Sequence, residues 1–128
     1  MLKVAPTLLV DEIEPSLAFY TEALGFDKVV DVPGDDGKLA FAMLSQGNVE
    51  IHLQTRVGAA QDIPYLAGRG GPPSGFLYID VKDVHGLFER LKGRVEVLVP
   101  LQKTFYGATH FFIKDPGGQV VGFSQNGT

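Results

Sequence analysis

The chain has 128 residues, the size of one ordinary domain, with 45% apolar side chains, 20% charged side chains and a formal net charge of −4. That balance supplies enough apolar surface for a buried core and excludes a disordered chain. Lys and Arg never cluster into a run that could grip a phosphate backbone, so no nucleic-acid partner is expected, and the absence of cysteine excludes disulfides, thiolate metal sites and a Cys nucleophile.

The first ten residues lack the basic start and long apolar stretch of a secretory signal, and no apolar run reaches membrane-spanning length. The expectation is a cytoplasmic protein with no membrane partner. The mild acidic excess fits plain solubility and would also suit a cationic ligand.

Residues 2–10 read as a strand, which Pro6 confines to a sheet edge or a bulge. Pro15 suits the first position of a helix, where a missing N–H costs nothing. Leu17, Tyr20 and Leu24 follow at helical spacing, and Gly25 supplies the stop. Residues 26–32, 39–44 and 49–53 read as strands separated by turn clusters at 33–37 and 45–48. Residues 54–74 hold Gly58, Gly68, Gly70, Gly71, Pro64, Pro72 and Pro73 and read as an irregular linker with one short helical turn at 63–67. Such a stretch is either a binding loop or a passive connector.

The pattern then restarts. Residues 76–81 read as a strand, and Asp83 can cap a helix carrying Val84, Leu87, Phe88 and Leu91. Residues 94–99, 104–114 and 119–125 read as strands, the last two joined by the tight turn Asp115-Pro-Gly-Gly118. At one constant offset Val10 meets Val81, Ile13 meets Val84, Leu17 meets Phe88 and Gly47 meets Gly118. An internal repeat explains this order economically. The expected fold is α+β, two βαβββ modules in a single domain, with module 1 at about 1–54, a linker at about 55–74 and module 2 at about 75–128. Each helix can cover only one face of its sheet, so the other face must curve around something or meet another module.

The segment Val10-Asp-Glu-Ile-Glu-Pro-Ser-Leu-Ala-Phe-Tyr-Thr-Glu-Ala-Leu-Gly-Phe26 resembles the opening signature of the vicinal-oxygen-chelate superfamily, which holds glyoxalases, bleomycin-resistance proteins and extradiol dioxygenases. Phe105-Tyr-Gly-Ala-Thr-His-Phe-Phe-Ile-Lys-Asp-Pro-Gly-Gly-Gln119 resembles its closing hairpin. The resemblance covers nearly the whole chain. It implies cupped mixed sheets enclosing a cavity, and pairing as a homodimer. It does not choose among lyases, isomerases, dioxygenases and antibiotic-binding proteins.

Enzymes of that superfamily usually hold a divalent metal with His, Gln and Glu side chains on the first and last strands of each module. Carried over by resemblance, those positions fall at Ala5, Phe76, Gly122 and, on the fourth strand, Glu50. Methyl, phenyl and hydrogen cannot coordinate a cation, and a lone carboxylate does not hold a catalytic metal. No metal or other cofactor is therefore expected, and the resemblance is nearest to the metal-free bleomycin-resistance-like members. The alternative keeps a divalent metal at Glu50 and His52.

Of the three histidines, His85 follows a helix start and reads as solvated, whereas His52 and His110 read either as hydrogen-bonded core or as members of a site. Glu50, His52 and His110 are the candidate acid–base groups. Phe76, Tyr78, Phe105, Tyr106, Phe111 and Phe112 gather aromatic surface in the second module. The expected ligand-binding residues are Glu50, His52, Phe76, Tyr78, Phe111 and Gly122, because an apolar wall with a few polar groups describes a ligand pocket. The favoured function is capture of a hydrophobic or aromatic compound, an antibiotic among them, without metal. The competing readings are a lyase, isomerase or dioxygenase using Glu50 and His52, and a purely structural module.

Overall fold

Two successive segments of the chain alternate between a face covered by a helix and a face left open. The computed structural model describes residues 2–68 and 75–127. In the first segment β1 (Thr7–Val10) leads to α1 (Ile13–Ala18), which runs on into a π-helical turn (Phe19–Ala23). Strands β2 (Asp27–Pro33), β3 (Leu39–Gln46) and β4 (Val49–Thr55) follow, then helix α2 (Arg56–Asp62) and a 3-10 turn (Pro64–Leu66). The sheet order is β1-β4-β3-β2, with β1 parallel to β4 and the other pairs antiparallel.

The second segment repeats that plan with β5 (Leu77–Asp80), α3 (Val84–Leu91), β6 (Glu96–Lys103), β7 (Ala108–Lys114) and β8 (Val120–Asn126). Its order is β5-β8-β7-β6, again with one parallel pair. The chain divides into two compact units, Met1–Gly71 and Pro72–Thr128. The expected α+β fold of two βαβββ modules is what the chain adopts. The repeat extends to its turns, since Gly47 (φ +56°) and Gly118 (φ +90°) both take the left-handed backbone that glycine tolerates best.

Each unit buries the strand residues that face its helix. In the first, Leu8, Val10, Ala42, Leu44, Ile51 and Leu53 are buried, as are Ile13, Phe19 and Tyr20 of the helical stretch. The Tyr20 ring stands edge-on to Phe19 and Phe26 at 5.2 and 5.8 Å. In the second, Val84, Leu87 and Leu91 of α3 are buried with Phe111, Ile113, Val121 and Phe123. Each such side chain contributes roughly 1.5–3 kcal/mol by leaving water. Asp83 caps α3 as its position in the sequence implies, its carboxylate accepting the Gly86 N–H at 3.1 Å.

Several boundaries differ from the sequence reading, each for a local reason. Strand β1 starts at Thr7 rather than residue 2, and the Pro6 carbonyl accepts the His52 N–H at 2.9 Å. Helix α1 starts at Ile13, which puts Pro15 within the first turn, where backbone N–H groups have no helical partner anyway. Residues 56–62, read as irregular linker, form α2, because the Thr55 hydroxyl accepts the Gly58 N–H at 3.1 Å and caps the helix. Strand β6 continues past Val99 to Lys103. It carries Pro100 on a sheet edge, where the register with β7 shifts between Val99 and Gln102. Strand β7 starts only at Ala108. Residues 104–107 turn instead, with Gly107 at φ +88° and the Thr104 hydroxyl accepting the Ala108 N–H at 2.9 Å. Phe105 and Tyr106 therefore stand at a hairpin tip. Gly70, Gly71, Pro72 and Pro73 of the expected linker lie outside the described residues.

Candidate functional site

Side chains opposite one another on paired strands share a face, so the register defines the two open faces without further assumption. On the second sheet Tyr78, Gly122, Phe112 and Val99 form one row across the strands. Asp80, Ser124, His110 and Gln102 form the next row. One row is aromatic and the neighbouring row is polar. On the first sheet the row that matches Tyr78–Gly122–Phe112–Val99 is Thr7, His52, Met43 and Val30.

Gly122 is buried, and its lack of a side chain has a packing cause. A Cβ there would lie 2.5 Å from the Phe112 ring and 2.9 Å from the Tyr78 ring. The two rings close over β8 because the residue beneath them is glycine. They stack at 5.9 Å, and the Phe76 ring meets Phe112 edge-on at 5.5 Å. Phe76 is 60% exposed and Tyr78 42%, which leaves an aromatic surface facing outward.

The polar row continues this surface. The Tyr78 hydroxyl lies 2.8 Å from His110 Nδ1 and 3.0 Å from the Tyr106 hydroxyl. Gln102 Nε2 lies 3.1 Å from His110 Nε2. The Tyr106 phenol is held above its ordinary pKa, first by the hydrogen bond with Tyr78 and then by partial desolvation.

On the first sheet Glu50 and His52 lie two residues apart on the same open face. Glu50 Oε2 is 2.7 Å from His52 Nε2, and Glu50 Oε1 is 2.8 Å from Lys3 Nζ. The Glu50 carboxyl titrates below its ordinary value because it accepts hydrogen bonds from Lys3 and from His52, which outweigh its partial desolvation. The Phe41 ring stands edge-on to His52 at 5.4 Å.

Two residue assignments from the sequence need correction. Phe111 was expected to face a ligand, but it is fully buried between Phe88 and Phe123, with ring centroids 5.1 and 5.2 Å away. Strand alternation puts Phe112 on the open face instead. Glu50 was given the fourth-strand ligand position. The register gives that place to His52, since His52 pairs with Thr7 and Met43 as Gly122 pairs with Tyr78 and Phe112. Of the remaining candidates, Glu50 and His52 lie together in the first unit, while Phe76, Tyr78, Gly122 and His110 lie together in the second. His85 is exposed on α3, as expected. The sequence reading gave no role to Gln102, which falls between the strands read at 94–99 and 104–114 and joins β6 only in the structure.

With the open faces established, comparison with known proteins places the chain. Residues 4–123 match the model of the Glyoxalase/Bleomycin resistance protein/Dioxygenase superfamily, and the chain belongs to that superfamily. A curated relative, an uncharacterized protein of Mycobacterium bovis, is 28% identical over 124 residues, spanning 90% of this chain and 77% of its own length. A crystal structure of a protein of unknown function from Agrobacterium tumefaciens superposes with a TM-score of 0.77 at 25% identity, covering 98% of this chain and 94% of that one. A glyoxalase-related enzyme from Fulvimarina pelagi superposes with a TM-score of 0.78 at 22% identity, covering 98% and 89%.

The superfamily's metal can be tested against the residues present. Ala5, Phe76 and Gly122 offer no donor atom, and the space a longer residue 122 would use is filled by two rings. Among the described residues of either unit, no group of three His, Asp or Glu side chains is placed to hold an ion. Of the four positions only His52 carries a donor, and its Nε2 is engaged by Glu50. The residues do not fit the group.

Proposed function

We propose that the chain is a metal-free small-molecule-binding protein of its superfamily, that it takes a hydrophobic or aromatic compound, with antibiotics among the classes to be tried, and that it works as a cytoplasmic homodimer. The observation that carries this reading is the fit of the Phe112 and Tyr78 rings over Gly122, which puts aromatic surface where a ligand carboxylate would stand. Rings of this kind bind planar compounds by stacking and edge contacts, each worth about 0.5–1.5 kcal/mol beyond area burial. A neighbouring polar row would fix orientation, as in most small-molecule sites. The test is a thermal-shift screen against antibiotics and aromatic metabolites, with and without EDTA. Stabilisation by an aromatic compound with no response to EDTA is expected. Destabilisation by EDTA that Zn²⁺, Ni²⁺ or Mn²⁺ reverses would overturn the metal-free reading.

A second reading is metal-free acid–base chemistry at Glu50 and His52, favoured by their 2.7 Å contact and by the lowered Glu50 pKa, which keeps a carboxylate beside an imidazole. It requires that Glu50→Gln abolish a turnover while leaving the chain folded and its ligand affinity close to that of the wild type.

A further inference from the structure

Lys3, Glu50 and His52 form a hydrogen-bonded run on the first sheet in which each group can play only one part. The Lys3 ammonium can only donate, and it meets Glu50 Oε1 at 2.8 Å, so Glu50 stands there as a carboxylate. An ionised carboxylate only accepts. His52 Nε2, 2.7 Å from Glu50 Oε2, therefore carries the ring hydrogen and donates it. The bond made by one ring nitrogen sets the state of the other, so Nδ1 of the neutral ring keeps a bare lone pair. No described residue donates to that nitrogen, and it is not sealed from solvent.

From this polarity we propose that His52 Nδ1 is the acceptor of a binding site on the first sheet, and that the site takes a neutral apolar compound through one O–H or N–H group. The neighbours of His52 set the rest of the class. Met43 pairs with His52 on β3, Val30 follows on β2, and the Phe41 ring stands edge-on to the imidazole at 5.4 Å. These side chains give an apolar frame something to cover, and a thioether beside a ring edge suits an aromatic one. An anion would meet the Glu50 carboxylate and find no hydrogen on Nδ1. An ammonium group would meet the Lys3 ammonium already on Glu50 and would lose its water to apolar neighbours. One nitrogen is too little for a metal ion. One acceptor in an apolar row is enough to select a donor, because a ligand that cannot donate leaves a desolvated lone pair without a partner. The site goes beyond the binding reading above and uses none of the residues of the aromatic face of the second sheet. It needs no proton transfer, so it does not depend on turnover at Glu50 either.

The experiment uses the full chain at about pH 8, where an ordinary histidine is neutral. NMR of isotope-labelled histidine reads the tautomer, with the His52 signals assigned by their loss in His52→Phe. Hydrogen on Nε2 and none on Nδ1 is expected. Hydrogen on Nδ1, alone or together with Nε2, overturns the polarity. Two pairs of probes then test the site: naphthol against methoxynaphthalene, and indole against benzofuran. Affinities are read from the Met43 methyl resonance, assigned by its loss in Met43→Leu. Naphthol and indole are expected to bind about five-fold more tightly than their partners, the effect of one net hydrogen bond, and to move the His52 Nδ1 signal as they do so. In His52→Phe the two members of each pair bind alike. Equal affinity within either pair for the wild type, or a preference that survives in His52→Phe, overturns the acceptor role. Naphthoate binding more tightly than naphthol overturns the neutral class. If no probe moves the Met43 or His52 signals, the proposal falls, whereas a thermal-shift screen with no stabilising aromatic compound is the separate result that overturns the binding reading.

Discussion

His52 and Gly122 hold the same place in their two sheets, each lying between a residue of the parallel edge strand and a residue of the antiparallel neighbour. One copy of the repeat keeps an imidazole there, and the other keeps only a hydrogen atom beneath two aromatic rings. The asymmetry sets up a first prediction. Gly122→Ala puts a methyl group 2.5 Å from the Phe112 ring, so it should destabilise the chain by about 1–3 kcal/mol, as overpacking does. Gly122→Glu should cost more. Urea unfolding checks this, and an unchanged midpoint for Gly122→Ala would refute the tight fit.

The same fit predicts coupling between residues 122 and 112. Phe112→Ala alone should weaken aromatic-ligand binding and lower stability by about 3 kcal/mol or less, since the ring is only partly covered. Combined with Gly122→Ala, the alanine at 122 should cost less than it does alone, because the Phe112 ring is gone and only the Tyr78 ring, 2.9 Å away, is still met. A double-mutant cycle by chemical denaturation gives the interaction directly. Strict additivity would mean that the ring moves aside without cost.

Glu50 predicts a pH dependence whose sign can be worked out. Its folded pKa is lowered by Lys3 and His52, so the unfolded chain binds its proton more readily than the folded one. The stabilisation is present above the ordinary glutamate range, near pH 4.3, and is lost as pH falls through that range to the lowered value. Melting temperatures of the wild type and Glu50→Gln should differ at pH 6 and converge as pH falls below the ordinary glutamate range. Lys3 is exposed, so high salt should also narrow the gap. The absence of any gap at pH 6 would show that the carboxylate gains nothing from its partners.

The helix caps give a prediction independent of any ligand. Asp83→Ala removes the acceptor for the Gly86 N–H, and Thr55→Ala removes the acceptor for the Gly58 N–H. Each should cost about 1 kcal/mol, and Asp83→Asn should restore most of its loss. Thermal unfolding by circular dichroism measures both. If Thr55→Ala leaves stability unchanged, α2 is not held by its cap.

The fold was legible in the sequence because two independent patterns agreed. Helical spacing at Leu17 and Tyr20, and again at Leu87, Phe88 and Leu91, stands at matching places in a repeat whose turns carry Gly47 and Gly118. Strand ends were less legible, since backbone pairing carries β3 through Gln46 and β4 through Thr55, beyond the apolar runs that marked them. Helix α2 escaped notice because Gly58 and the prolines further on outweighed the single capping threonine. The site was partly legible. Phe76, Tyr78 and Gly122 do share a surface, but periodicity alone left open which of Phe111 and Phe112 faced outward. Glu50 took the ligand place in the sequence reading because it is a carboxylate. Only the pairing of His52 with Thr7 and Met43 shows that the neighbour two residues on stands there.

The packing around Gly122 also restricts what position 122 can hold. A carboxylate side chain there would have to displace Phe112 and Tyr78, which occupy its volume. Shrinking either ring first would open a gap in the aromatic surface before any donor could use it. The intermediate chains would lack both the stacked rings and the carboxylate. While these rings close over a glycine, a side chain added at position 122 disturbs the sheet before it can reach the open face.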